Sequence, residues 1–354
     1  MEEKKDMLAL LDMMIQPVFC VKDNVITRVN AAARQLFLEA GDSILPLLEE
    51  NAGAYAEFSG GWLYLPLNLS GQTVGATVRR VEGTDIFEID SSADTTALRA
   101  MALAAAALRK PLSSAMAGTA SLQDTLENPD TARQLSQLNQ NLHQLLRMVG
   151  NMSDAEDFSS HFHPETINVS ALFREIFEKA GVLAAHSGLL LSYEDLPESV
   201  YCLADRTQLE RAVLNILSNA MKFTPRGGRI TASLVRRGNT LRLSVQDSGS
   251  GVEQTVISSL FQRYLRQPGI EDSRFGIGLG LSLVHAAALH HGGTLLLTET
   301  ADGGTRTLLT IAIRQKRECT MHSPIFTFDY TGGFDHSLVE LSDSLPAQLF
   351  DGNY

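Results

Sequence analysis

A chain of 354 residues is long enough for two or three domains, and 44% hydrophobic with 20% charged residues is an ordinary globular composition. The formal net charge of −12 argues against partners such as nucleic acid or an anionic membrane surface, both of which select clustered lysine and arginine. Three cysteines, Cys20, Cys202 and Cys319, match no metal-ligand spacing, and their odd number disfavours a disulfide framework, so a reducing, cytoplasmic setting is expected. No apolar run reaches the roughly 20 residues of a transmembrane helix. The charged residues 1–6 precede no apolar signal core. Any signal is therefore expected to arrive inside the cell or through a partner.

In chain order, residues 17–21 read as a strand, Lys22, Asp23 and Asn24 as a turn, and residues 25–29 as a second strand. Asn30 is a good N-cap for a helix opening at Ala31. Strands are expected again over 61–67, 73–81 and 85–89. The composition then shifts. Residues 94–108 are rich in alanine and leucine without glycine, and Pro111 is expected to kink or restart that helix. A second helix is expected over 131–152, with Leu135, Leu138, Leu142, Leu145, Leu146 and Val149 at three- and four-residue spacing. A lone hairpin cannot bury two apolar stripes, so residues 93–157 predict a homodimer through a four-helix bundle, or packing against another domain of the chain. Helices over 208–222 and 281–290 and strands over 241–245 and 305–313 give the next region an α/β character.

Four motifs in that region carry chemistry. Asn215 and Asn219 are four residues apart and share a helix face with Lys222, so two amide oxygens and a cation face one way, a set suited to Mg2+ and phosphate. Asp247-Ser248-Gly249-Ser250-Gly251 follows a strand; its carboxylate can accept a hydrogen bond from an adenine amino group, and its glycines allow close approach of the backbone. Gly276-Ile277-Gly278-Leu279-Gly280 leads into a helix and can form a phosphate cradle. Gly303-Gly304-Thr305 precedes the last strand. Each motif alone fits an ordinary turn or polar stripe.

In this order and wording the four resemble the N, G1, G2 and G3 boxes of sensor histidine kinases, within the gyrase-type (GHKL) ATPase superfamily. Leu260-Phe261-Gln262-Arg263-Tyr264 resembles the F box, and Asp205-Arg206-Thr207-Gln208-Leu209 the lead-in to the N box. The resemblance implies ATP with Mg2+ as cofactors. Asn219 would be the main metal ligand with Asn215 beside it, Lys222 would reach a phosphate, Asp247 would hold adenine, and Gly249 and Gly251 would shape the base pocket. Gly276, Gly278 and Gly280 would hinge a lid, and Thr305 would be a further nucleotide-binding residue. The implied fold is α+β and multidomain: a PAS-like sensor domain over 8–92, a dimerisation hairpin over 93–160, an α/β-sandwich ATPase domain over 165–315 and an acidic aromatic tail over 316–354. A generic small α+β domain is the plainer reading of the first part.

The hairpin departs from the family. Leu108-Arg109-Lys110-Pro111-Leu112 resembles the end of the H box, yet the phosphoacceptor position is Ala106 and the following acidic position is Ala107. Alanine supplies neither nucleophile nor base. His143 is expected to be a packing or surface residue rather than a substitute, and Ser113 and Ser114 to be helix residues. Three readings follow: an ATP-binding pseudokinase that regulates a response regulator or partner kinase, a kinase with another acceptor, or a non-kinase ATPase. In the tail, 323–330 could add a strand and 335–345 a short helix with Leu338, Leu341 and Leu345 on one side. The tail aromatics are expected to dock on the ATPase domain or a partner, a disordered acidic tail being the alternative.

Overall fold

The computed structural model describes residues 14, 16–90, 95–123, 128–160, 162–251, 279–314 and 333–351. The chain opens with strands β1 (Val18–Lys22) and β2 (Val25–Val29), a tight antiparallel pair. Asn30 accepts the Ala33 N–H (2.9 Å) and so caps the short helix α1 (Ala31–Arg34). Helices α2 (Leu45–Leu48) and α3 (Ala52–Ala56) lead into β3 (Trp62–Leu69), β4 (Gln72–Val81) and β5 (Thr84–Ile89). These five strands lie in the order β2-β1-β5-β4-β3, and Phe19, Ile26, Leu63, Leu65, Val78 and Phe87 form their core with Ile44 and Leu48.

Two long helices follow, α4 (Thr95–Gln123) and α5 (Pro129–Ser160), packed against each other as a hairpin. Contrary to a restart at Pro111, α4 runs through it. A proline removes one helical hydrogen bond, and Leu112 and Met116 just beyond it are held in the packed hairpin by Leu142 and Leu146.

The next region contains β6 (Glu165–Asn168), α6 (Val169–His186), β7 (Leu190–Glu194), β8 (Tyr201–Ala204), α7 (Arg206–Phe223), β9 (Arg229–Arg237), β10 (Thr240–Asp247), α8 (Leu279–His290), β11 (Leu295–Glu299) and β12 (Thr305–Ala312). Helix α7 begins where Asp205 accepts the Gln208 N–H (3.0 Å). Its length matches the apolar spacing of Leu209, Val213, Ile216 and Leu217, all buried. Strand β10 alternates buried Leu241, Leu243 and Val245 with half-exposed residues, the period-two pattern of a sheet covered on one face by helices. The result is a mixed α/β, sheet-based domain.

Its sheet is continuous with the N-terminal one. The order β2-β1-β5-β4-β3-β11-β12-β10-β9-β7 is joined where Trp62, Leu63 and Tyr64 pair with Leu297, Leu296 and Leu295. Alternation sends side chains both ways across this seam: Tyr64 enters the core of the α/β domain, and Leu296 packs on the N-terminal core.

Residues 333–351 are ordered against both the hairpin and the α/β domain. Helix α9 (His336–Leu341) is capped by Asp335, and a helical turn follows over Ala347–Phe350. Leu338, Leu341 and Leu345 are buried together, as the spacing predicts, and Phe334 and Phe350 flank His143. The disordered alternative does not hold for this stretch; the expected strand over 323–330 lies outside the described residues. Glu340 is fully buried and bridges two cations, Arg211 of α7 and Arg147 of α5 (3.4 Å). Arg211, itself fully buried, also meets Asn151 (2.8 Å) and Asp154 (2.5 Å) of α5. Among the described residues no helix is long and apolar enough to cross a membrane.

Removing one member of a buried ion pair leaves the other charge uncompensated, at a cost of about 3–5 kcal/mol. Arg211→Met is therefore expected to lower the free energy of unfolding, read from urea denaturation, by that order, whereas Arg236→Met, which removes an exposed pair with Glu198 (3.5 Å), is expected to change it little.

Candidate nucleotide site

The N-box asparagines sit on α7 as their spacing requires. Asn215 is buried and donates its amide N–H to the Arg211 carbonyl one turn back (2.8 Å). Its Oδ1 is buried and accepts no hydrogen bond among the described residues. Asn219, one turn on, is exposed, and Lys222 is half-buried at the end of the helix. Gly280, in the first turn of α8, lies directly over Asn215: a Cβ there would collide with Asn215 Oδ1. The start of α8 is thus brought onto the asparagine face of α7, and only a residue without a side chain permits it.

Asp247 ends β10 and is buried. The backbone N–H groups of Gly249 (2.9 Å) and Thr305 (3.1 Å) both donate to its Oδ1. Burial pushes its carboxyl above the usual carboxylate range, and the backbone N–H groups of Gly249, Thr305 and Asp247 itself oppose that shift. The turns around it are close-packed backbone. A Cβ on Gly249 would strike the Phe223 carbonyl at the end of α7, and one on Gly304 would strike the Asp247 carbonyl. Gly251 takes φ +73° and would place a Cβ 2.6 Å from the Gly303 carbonyl. The glycines therefore splice the end of α7, the end of β10 and the β11–β12 turn into one cluster, with Thr305 buried in it. Of the residues singled out from sequence, Asn215 and Gly280 are brought together, as are Asp247, Gly249, Gly251 and Thr305. Gly276, Gly278 and the residues from Leu260 to Tyr264 lie outside the described residues.

An exposed asparagine, a buried unpartnered amide oxygen and a lysine on one helix face fit a hydrated divalent cation with its phosphates. A buried carboxylate, an acceptor with lone pairs to spare, fits an exocyclic amino group. Two features escaped the sequence reading. Arg211 anchors the helix that carries both asparagines; its partners lie on other elements, so spacing gave no sign of them. His291 holds the start of that helix: its Nδ1–H donates to the Ala287 carbonyl (2.7 Å), and its Nε2 accepts the Asp205 N–H (3.0 Å). That geometry requires a neutral ring, and burial lowers its pKa to about 4.

The family described as histidine kinase-, DNA gyrase B- and HSP90-like ATPases matches residues 204–315. Histidine protein kinase DivJ of Caulobacter vibrioides is 40% identical over 111 residues, 31% of this chain and 18% of that protein. The signal transduction histidine-protein kinase/phosphatase MprB of Mycolicibacterium vanbaalenii is 29% identical over 208 residues, 56% and 42% of the two chains. Sensor protein KdpD of Mycobacterium tuberculosis is 28% identical over 259 residues, 70% and 30%. The chain thus spans less than half the length of each of these relatives. Among solved structures, full-length ShkA in complex with AMPPNP aligns with 62% of this chain and 46% of that one, at 20% identity and a TM-score of 0.49.

Two measurements check this geometry. Gly304→Ala is expected to push the β11–β12 turn off Asp247 and break the Thr305 hydrogen bond, seen as faster amide exchange at Thr305 with the helices unchanged. For His291, the folded pKa lies below the unfolded value of 6.5, so its contribution is complete above pH 6.5 and is lost as pH falls towards 4. At 1.36 kcal/mol per unit that is about 3 kcal/mol, and His291→Gln, which keeps an acceptor but does not titrate, is expected to show a shallower fall in stability across this window.

The region 204–315 is an ATPase domain of the histidine kinase-, DNA gyrase B- and HSP90-like family, and the chain that carries it is a homologue of sensor histidine kinases.

Proposed function

We propose that this chain is an ATP-binding signalling protein of the two-component type that does not phosphorylate itself at the usual hairpin position. The observation that carries the reading is the paired arrangement of Asp247, locked by Gly249 and Thr305, and Asn215, buried beneath Gly280. In it, the Asp247 carboxylate accepts from the adenine amino group. Asn219 and Asn215 hold Mg2+, Lys222 meets a phosphate, and Gly276, Gly278 and Gly280 would hinge a lid over the phosphates. Bound Mg2+ would neutralise phosphate charge; the chain's own groups bind and orient.

The domain limits proposed are 8–92 for a PAS-like sensor, 93–160 for the hairpin, 165–315 for the ATPase domain and 316–354 for the tail. The strand order β2-β1-β5-β4-β3 supports the first. Leu103, Leu108, Leu122, Leu138 and Leu145 remain exposed on the hairpin, which supports homodimerisation through it. A cytoplasmic location and a response regulator or partner kinase complete the reading.

The missing acceptor is not restored elsewhere in the hairpin by His143. Its ring is buried between Phe334 and Phe350, with Nδ1 bonded to the Asn139 carbonyl (2.8 Å), and burial lowers its pKa. Ala106 and Ala107 are exposed on α4, open to a partner but without a nucleophile or base. These facts favour the pseudokinase reading over a kinase with a substitute histidine.

Calorimetry with Mg-ATP is expected to show binding by the wild type and at least tenfold weaker binding by Asn219→Ala and by Asp247→Ala; a wild type that does not bind would overturn the proposal. With γ-labelled ATP the purified chain is expected to acquire no acid-labile label, and such a label would identify an acceptor histidine and sink the pseudokinase reading.

A further inference from the structure

The segment 333–351 belongs to two cores at once. Val339 of α9 packs with Met116 of α4 and Leu146 of α5 in the hairpin, while Leu338, Leu341, Leu345, Leu349 and Phe350 pack in the core of the ATPase domain. Helix α9 spans only His336–Leu341, too short to be stable alone, so its structure comes from what it docks against.

The way α5 grips the segment is the way a protein holds a peptide. Side chains of α5 donate to main-chain carbonyls of the segment: Asn139 to Phe350 (3.0 Å), Gln140 to Ser342 (3.1 Å) and Leu345 (2.7 Å), and Gln144 to Ser342 (3.4 Å). From the other wall, Ser187 donates to the Ser344 carbonyl (2.7 Å). Charge then fixes the register. Arg147 meets Asp343 (2.5 Å) and Glu340 (3.4 Å), and Arg211 meets Glu340. At the near end Lys179 pairs with Asp335 (3.8 Å) and His336 with Glu210 (3.0 Å). Main-chain recognition with apolar anchors and matched charges is a recurring mode of peptide binding.

We propose that the groove between α5 and the helices α6 and α7 is a binding site for an acidic, leucine-rich helical peptide, and that the chain's own segment 333–351 is its resident occupant, a clamp holding the ATPase domain against the hairpin. Glu340 is the central contact, since one carboxylate there meets an arginine from each side of the seam.

The test is hydrogen exchange on the full-length chain with Glu340→Gln. Amides of α5 between Asn139 and Asn151, and of α7, are expected to exchange at least tenfold faster than in the wild type. A synthetic peptide of residues 333–351, added in trans, is expected to restore protection, while the same peptide with glutamine at position 340 is not. Should Glu340→Gln unfold the chain, Phe350→Ala, which leaves the buried ion pair in place, is read in the same way. Unchanged exchange in α5 and α7 would overturn the clamp. Loosening that the wild-type peptide fails to reverse would overturn the groove as a peptide site.

Discussion

Arg211 sits at 0% exposure in the middle of α7, and a guanidinium cannot shed its charge to suit a buried setting. Its compensation has to come from neighbours, and the acids paired with it among the described residues, Asp154 and Glu340, lie outside its own domain. Asp154 and Asn151 reach it from the hairpin and Glu340 from the C-terminal segment. The α/β domain, the hairpin and the segment must therefore assemble together, or a bare charge is left in a core. The same residue gives its carbonyl to Asn215, so the position of the asparagine and the neutralisation of the charge are properties of one helical turn.

A second junction lies at the other end of the domain. Three residue pairs splice β3 to β11, and β11 runs on into the turn whose Thr305 holds Asp247. Beside the splice, Tyr64 of β3 touches the ring of His285 on α8, the helix that begins by pressing Gly280 onto Asn215. Burial disfavours charge at this junction. The His285 pKa falls well below its ordinary value, and the Asp90 carboxyl next to Tyr64 rises to about 7. The N-terminal sheet thus adjoins both elements that build the candidate site, at a place where a change of charge is costly.

Local pattern was readable where a residue's role depends on near neighbours. The face of α7, the alternation of β10, the cap at Asn30 and the glycines around Asp247 all follow from spacing and backbone freedom. What could not be read were contacts between distant parts of the chain. Glu340 is 129 residues from Arg211, and no periodicity links them. The leucine stripe of α5 looked like one dimer face. The structure divides it, with Leu146 and Val149 buried and Leu138 and Leu145 exposed, because the hairpin has intramolecular neighbours besides any partner. Helix α4 continues through Pro111 for a related reason: packing along its length outweighs one missing hydrogen bond.

These junctions bear on what a nucleotide could do in a chain with alanine at positions 106 and 107. A ligand shifts a conformational equilibrium only by binding one state better than another. In the proposed site the residues that would meet ATP are each tied to an interface: Asn215 through Arg211 to the hairpin and the C-terminal segment, and Asp247 through Thr305 and β11 to the N-terminal sheet. Any movement of α7 or of the β11–β12 turn on binding is therefore also a movement at a domain junction. Occupancy and domain docking would then be coupled reciprocally, and such coupling needs neither a phosphoacceptor at Ala106 nor a base at Ala107.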